Sequence, residues 1–159
     1  MNWNPTTYFQ HLTATNRLAQ QYQFRFCRVN GLEGLEEALQ AMQSTKNFVC
    51  VSDLSDSYIE LENSPHTRRI KTVFLCMRHK IDDMQQREQC MRTMQELFRQ
   101  FMSHLLRQRT QLEQQLISLD PRIQYNEIDK YFFSGCACTY FQIATDHYTD
   151  LQYNADEWE

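Results

Sequence analysis

The spacing of apolar residues along this chain changes several times, and each change predicts an element. Tyr8, Phe9, Leu12, Leu18 and Tyr22 recur at roughly helical spacing after Pro5, whose fixed φ suits a first helical turn. The stretch Phe24-Arg25-Phe26-Cys27-Arg28-Val29 alternates apolar with polar and predicts a short strand. Asn30-Gly31 is a turn signal, after which Leu32, Leu35, Ala38, Leu39 and Met42 make the stripe of a short amphipathic helix.

Three strand candidates follow. Phe48-Val49-Cys50-Val51 is a continuous apolar run, consistent with a strand buried on both faces. Ser52 to Ser57 has turn composition, and Tyr58, Ile59 and Leu61 form a second short strand that enters a polar loop around residues 62–69. Ile70 to Met77, rich in β-branched and aromatic residues, is the third. Antiparallel pairing of these neighbours needs only tight connections.

A long helix comes next. Asp82 or Asp83 can cap it, and Met84, Met91, Met94, Phe98, Phe101, Met102, Leu105 and Leu106 fall on one face. From Asp82 to Arg109 it would measure about 42 Å at ~1.5 Å per residue, with room to continue through Leu112 and Leu116. Its one-sided apolarity predicts that it packs across a sheet. Asp120-Pro121 stops any helix. Ile123 to Ile128 reads as irregular or as a helical turn. Phe132 or Phe133 leads through Ser134-Gly135 into a strand pair over Cys136 to Ala144, and Asp150-Leu151-Gln152-Tyr153 suits an added edge strand. The expected fold is α+β: a small, mainly antiparallel sheet packed against one long amphipathic helix, with additional N-terminal helices. One domain spans 1–159, with helices in 1–45, strands in 46–81, the long helix in 82–116 and closing strands in 120–153.

Composition narrows the function classes. With 159 residues, 42% hydrophobic and 13% aromatic, the chain can build a core, and three Gly and three Pro leave little for flexible linkers. The opening Met1-Asn2-Trp3-Asn4-Pro5 has no basic region followed by an apolar run. Six cysteines, several within apolar stretches (Cys50, Cys76, Cys90), therefore read as reduced thiols of a cytoplasmic protein. No run approaches the ~20 apolar residues that span a bilayer, so no membrane association is expected. A formal charge of -4 with dispersed basic residues disfavours nucleic acid as the main partner.

Candidate chemistry is sparse. Cys136 and Cys138 lie two apart on a predicted strand, so their thiolates would share a face, and with His147 they form the best metal candidate. No second Cys pair accompanies them, and two small hydrophobes on a buried strand is the preferred reading. Asp53, Asp56, Glu60 and Glu62 read as turn and wet-face residues before they read as an ion site. There is no Gly-x-Ser-x-Gly, His-Glu-x-x-His or glycine-rich phosphate loop, so neither an enzyme nor a cofactor is expected. The methionines of the long helix read as core, while Trp3 and Trp158 are aromatic residues of the kind that anchor interfaces or fold back on their own domain.

The order of elements, carried by Lys46 to Asp53, Arg68 to Leu75, the helix from Asp82, and Ile128 to Gly135 running into Thr139-Tyr140-Phe141, resembles the phage tail-terminator and head–tail joining proteins, including prophage and contractile-injection-system relatives. The likeness covers residues 45–150 by layout. It implies a non-enzymatic structural subunit of a virion or tail-like particle. Such subunits form a homo-oligomeric ring, commonly a hexamer, that caps or joins a tail tube through head-to-tail contacts. It also implies that Glu62, Asn63, Ser64, Pro65, His66, Arg68 and Arg69 contact the tube or neck protein or a neighbouring subunit. A small cytosolic adaptor or regulatory binding module of the same fold is the alternative.

Overall fold

The computed structural model describes residues 3–42, 44–128 and 135–159. Its elements run α1 (Pro5–Thr15), α2 (Arg17–Gln21), β1 (Arg25–Val29), α3 (Gly31–Ala41), β2 (Asn47–Glu60), β3 (His66–Arg78), α4 (Met84–Gln114), β4 (Ile117–Leu119), β5 (Tyr125–Ile128), β6 (Cys136–Tyr148) and a final 3₁₀ turn (Ala155–Glu157). The architecture is α+β with a mostly antiparallel sheet and one long helix. The lead-in through Phe132, Phe133 and Ser134, and with it most of the stretch Ile128 to Gly135, lies outside the described residues.

The leading helical stretch is two helices, because Asn16 serves both. Its N–H closes α1 on the Leu12 carbonyl at 2.8 Å, and its Oδ1 opens α2 by accepting from the Ala19 N–H at 2.8 Å. At the other end of α1, Asn4 Oδ1 accepts from the Thr6 N–H at 2.9 Å, with Pro5 in the first turn.

Strands lie in the order β1-β2-β3-β6-β4, and β5 also pairs with β6. β1 and β2 are parallel, with α3 as the crossover, and the other pairings are antiparallel. The two closing strand candidates are one 13-residue strand, β6. Residues 125–128, expected to be irregular or helical, are strand β5, because their backbone completes the free edge of β6 from Phe141 to Cys138. The predicted edge strand at 150–153 does not form, and residues 149–154 are irregular.

The expected turn at Ser52–Ser57 is also absent. β2 runs on for 14 residues, about 46 Å at ~3.3 Å per residue, with a register shift between Val51 and Ser55. Polar side chains serve the backbone of that bulge. Lys71 Nζ donates to the carbonyls of Ser52 and Asp53 at 3.0 and 2.8 Å, and Ser52 Oγ accepts from the Leu54 N–H at 3.2 Å. Serine and aspartate here mark a bulge in a strand, not its end.

Asp83, rather than Asp82, caps α4, accepting from the Gln86 N–H at 2.9 Å. The helix has 31 residues, about 46 Å at ~1.5 Å per residue. It stops before Pro121 is reached: Leu116 takes φ 60°, the left-handed region, and β4 begins at once. The helix thus leaves β3 at one end of the sheet and returns the chain to β6 near His147 at the other.

The period-2 alternation of the strands sorts the core into two clusters. On one face Val49, Val51, Val73, Leu75, Phe141 and Ile143 pack under α4 residues Met91, Met94, Leu97, Phe101 and Leu105, joined by Phe9 and Leu12 of α1. On the other face Phe48, Cys50, Phe74, Cys76, Cys136 and Cys138 pack with Leu35 and Leu39 of α3. The run at 48–51 is therefore covered on both sides, as its unbroken apolarity predicts. Met84 and Leu106, expected on the apolar face of α4, are exposed.

Candidate interaction surface

β1 pairs with β2 only from Phe48 to Ser52. From Asp53 to Glu60, β2 is therefore hydrogen-bonded on one side only, to β3, among the described residues. Every residue of that half-strand is exposed. It carries Leu54, Tyr58 and Ile59, and Leu61 follows at 72% exposure. An unpaired strand edge with apolar side chains on it is a template for another chain. The turn composition of 52–57 separates the expected short strand of Tyr58, Ile59 and Leu61 from the run at 48–51 and hides the long edge; the signal is the matched length of two strands, 47–60 and 66–78, around one short connection.

The seven residues expected in a polar loop separate into three places. Glu62 to Pro65 form the hairpin turn, with Asn63 and Ser64 at φ 52° and 73°. Asn tolerates this region better than Ser, so the strain falls on Ser64. His66, Arg68 and Arg69 belong to β3, not to a loop, because the ladder with β2 and β6 continues to the Glu60 and Tyr148 pairs. With Leu116 and Tyr148, residues 63–66 border a shallow groove at this end of the sheet.

Arg68 faces β6 and is committed to structure. Its guanidinium donates to Asp146 Oδ2 at 2.8 Å and to Asp120 Oδ2. The Asp120 carboxyl is held below its usual range by the Arg122 N–H that it accepts, and then by Arg68. A carboxylate with a depressed folded pKa adds stability above the unfolded value, about 3.9, and loses it as pH falls through the folded value. Arg68→Met is therefore expected to cost about 1–2 kcal/mol at neutral pH, with the gap narrowing below about pH 4. Urea unfolding at the two pH values checks it, and an unchanged gap would refute the role.

Arg69 points to the opposite face. There it shares a cleft of about 610 Å³ with Arg28, Asp53, Lys71, Trp3 and the first turn of α1. Arg28 pairs with Asp53 at 2.7 Å. Trp3 is partly buried, its ring 5.3 Å from that of Tyr8, so it folds back onto its own domain beside Arg69. Trp158 is 67% exposed and, among the described residues, stacks only on Tyr153, at 6.5 Å between centroids. The two tryptophans, equivalent in sequence, are thus in different situations. Asp53, which the sequence offers only as a turn residue or an ion ligand, is instead brought with Arg28 and Lys71 to Arg69 by positions on three different strands.

Cys136, Cys138 and His147 do not converge. His147 lies nine residues beyond Cys138 on the same extended strand, about 30 Å away, and on the other face. Cys138 instead meets Cys76 across the sheet, the sulfurs 2.9 Å apart, and Cys27 meets Cys50 at 3.3 Å. All six thiols are free, and burial pushes Cys76 well above the ordinary thiol range. Among the described residues no three His, Cys, Asp or Glu side chains are disposed to hold a metal ion, and no helix is long and apolar enough to cross a membrane. A scan against protein-family models finds no match for this chain, and a search of curated proteins finds no significant one.

Proposed function

We propose that the chain is a non-enzymatic structural subunit of a phage tail-like assembly, a tail terminator or head–tail joining ring protein. The reading rests on one observation above others: the half-strand Asp53–Glu60, which among the described residues is paired on one side only and bears Leu54, Tyr58 and Ile59. Such an edge is stable in isolation only if another chain pairs with it or its own charges discourage pairing. Its exposed apolar residues favour the former. α4 lies along the sheet behind it and stiffens the hairpin's base. In a ring the edge and the turn at Glu62–Pro65 meet a different surface of the neighbour or of a tail-tube protein, and the rotation between copies must close. The subunit is cytoplasmic until it joins the particle.

Native mass spectrometry of the concentrated protein is expected to give a closed oligomer of one size, a hexamer on the family likeness. Monomer alone, both with and without a tail-tube protein, would overturn the reading. A one-to-one complex with some other protein, and no ring, would favour the adaptor alternative.

A further inference from the structure

Residues 150–159 form a segment of unusual composition for a surface tail. Asp150, Asp156, Glu157 and Glu159 supply four carboxylates, and the segment has no lysine or arginine. It is nonetheless locally shaped. Asp150 Oδ1 accepts from the Gln152 N–H at 2.9 Å, Asn154 Oδ1 from the Asp156 N–H at 3.1 Å, and the Tyr153 and Trp158 rings stack with 14° between planes. Yet every residue from Leu151 to Glu159 is exposed, and none belongs to either core cluster. An aromatic pair held in shape and left in water is a poor use of apolar surface unless something covers it.

The complementary surface is on the same molecule. The cleft beside α1 carries three cations, Arg28, Arg69 and Lys71, against one carboxylate, Asp53. Two of the cations are engaged: Arg28 with Asp53, and Lys71 with two carbonyls. Arg69 has no hydrogen bond or ion pair among the described residues, and Trp3 stands beside it as an aromatic wall. About 610 Å³ is within the range of cavities that seat a few side chains. An acidic segment with two aromatic rings fits a cleft with surplus positive charge and an aromatic wall.

We propose that residues 150–159 of one copy dock in the Arg69 cleft of a second copy, an inference that rests on the self-assembling reading above. The contact is heterologous, because tail and cleft are different surfaces, so each copy both gives a tail and receives one. Arg69 meets the carboxylates, and Trp158 or Tyr153 lies against Trp3.

A fluorescein-labelled peptide with the sequence of residues 150–159 and a chain ending at Thr149 provide the test. The shortened chain keeps all of both core clusters, so its folding is not in question. The peptide is expected to bind it, and binding should weaken about tenfold with Arg69→Glu and fall with added salt. The shortened chain should also lose the assembly seen with the full chain. Absence of peptide binding, or binding indifferent to Arg69→Glu, overturns the inference; a full chain that still forms rings then leaves the ring reading intact. A full chain that stays monomeric while the peptide binds the shortened chain means that the tail closes its own cleft, which overturns the second copy as the partner.

Discussion

Phe141→Ala is expected to lower the unfolding free energy by about 3–5 kcal/mol. Phe141 is fully buried at the middle of β6, and rings from two helices meet on its own. The centroid of Phe9 in α1 is 5.6 Å away, and that of Phe98 in α4 is 5.0 Å away. Tyr125 of β5 is its partner in the ladder and stacks on Phe98 at 4.3 Å. Removing the ring deletes its transfer energy and opens a cavity whose walls are other aromatic rings, anchored on separate elements and unable to collapse together. A domain of ordinary stability holds ~5–15 kcal/mol in total, so the loss is a large fraction. Urea unfolding should show a lower midpoint with an unchanged slope. A loss under about 1 kcal/mol would mean that α1 and α4 do not share this contact.

The second large effect is on assembly and leaves folding alone. Ile59→Lys combined with Leu61→Lys is expected to abolish self-association. Both side chains are exposed, at 48% and 72%, beside the free edge of β2. A central apolar contact in an interface is worth ~2 kcal/mol or more when truncated, about 30-fold in affinity for each site. Lysine on an exposed strand edge also discourages pairing directly, because its charge cannot be buried against another sheet. Since neither residue touches a core cluster, stability should move by no more than about 0.5 kcal/mol. Sedimentation and thermal unfolding of the same sample separate the two readouts. Unaltered assembly would remove the hairpin from the interface.

Much of the molecule was legible before any coordinates. The long helix, expected from Asp82 to Arg109 with room to continue to Leu116 and found over 84–114, is legible because one-sided apolarity sustained over many turns has no other use, and its cap is narrowed to two adjacent aspartates. The run at 48–51 announced burial on both faces. Local composition misled where polar residues had a backbone task instead of a turn to make. Ser52 and Asp53 serve a bulge that Lys71 completes from the next strand, and a reading along the chain cannot see the lysine. The same is true of β5, whose four residues are a strand only because β6 offers them an edge.

The candidate surface was legible only at its tip. Glu62 to Pro65 were found because a turn is written in neighbouring residues. Composition puts His66, Arg68 and Arg69 in the same loop, yet strand alternation sends Arg68 to the Asp120 and Asp146 carboxylates and Arg69 to the opposite face. Likewise, Cys136 and His147 are close in sequence and distant in space, because a strand is the most extended path between two points.

What the sequence by itself determined is everything that periodicity and capping encode: the long helix, the buried strands, the α+β class and the location of the hairpin turn. What only the tertiary structure decided is which strand edge is left open, which cations share a cleft, and that Trp3 is folded in while Trp158 is not. The division has one physical cause. Helix periodicity and caps are satisfied within a few residues of chain, whereas edges and clefts are made by segments whose only relation is that the fold sets them side by side.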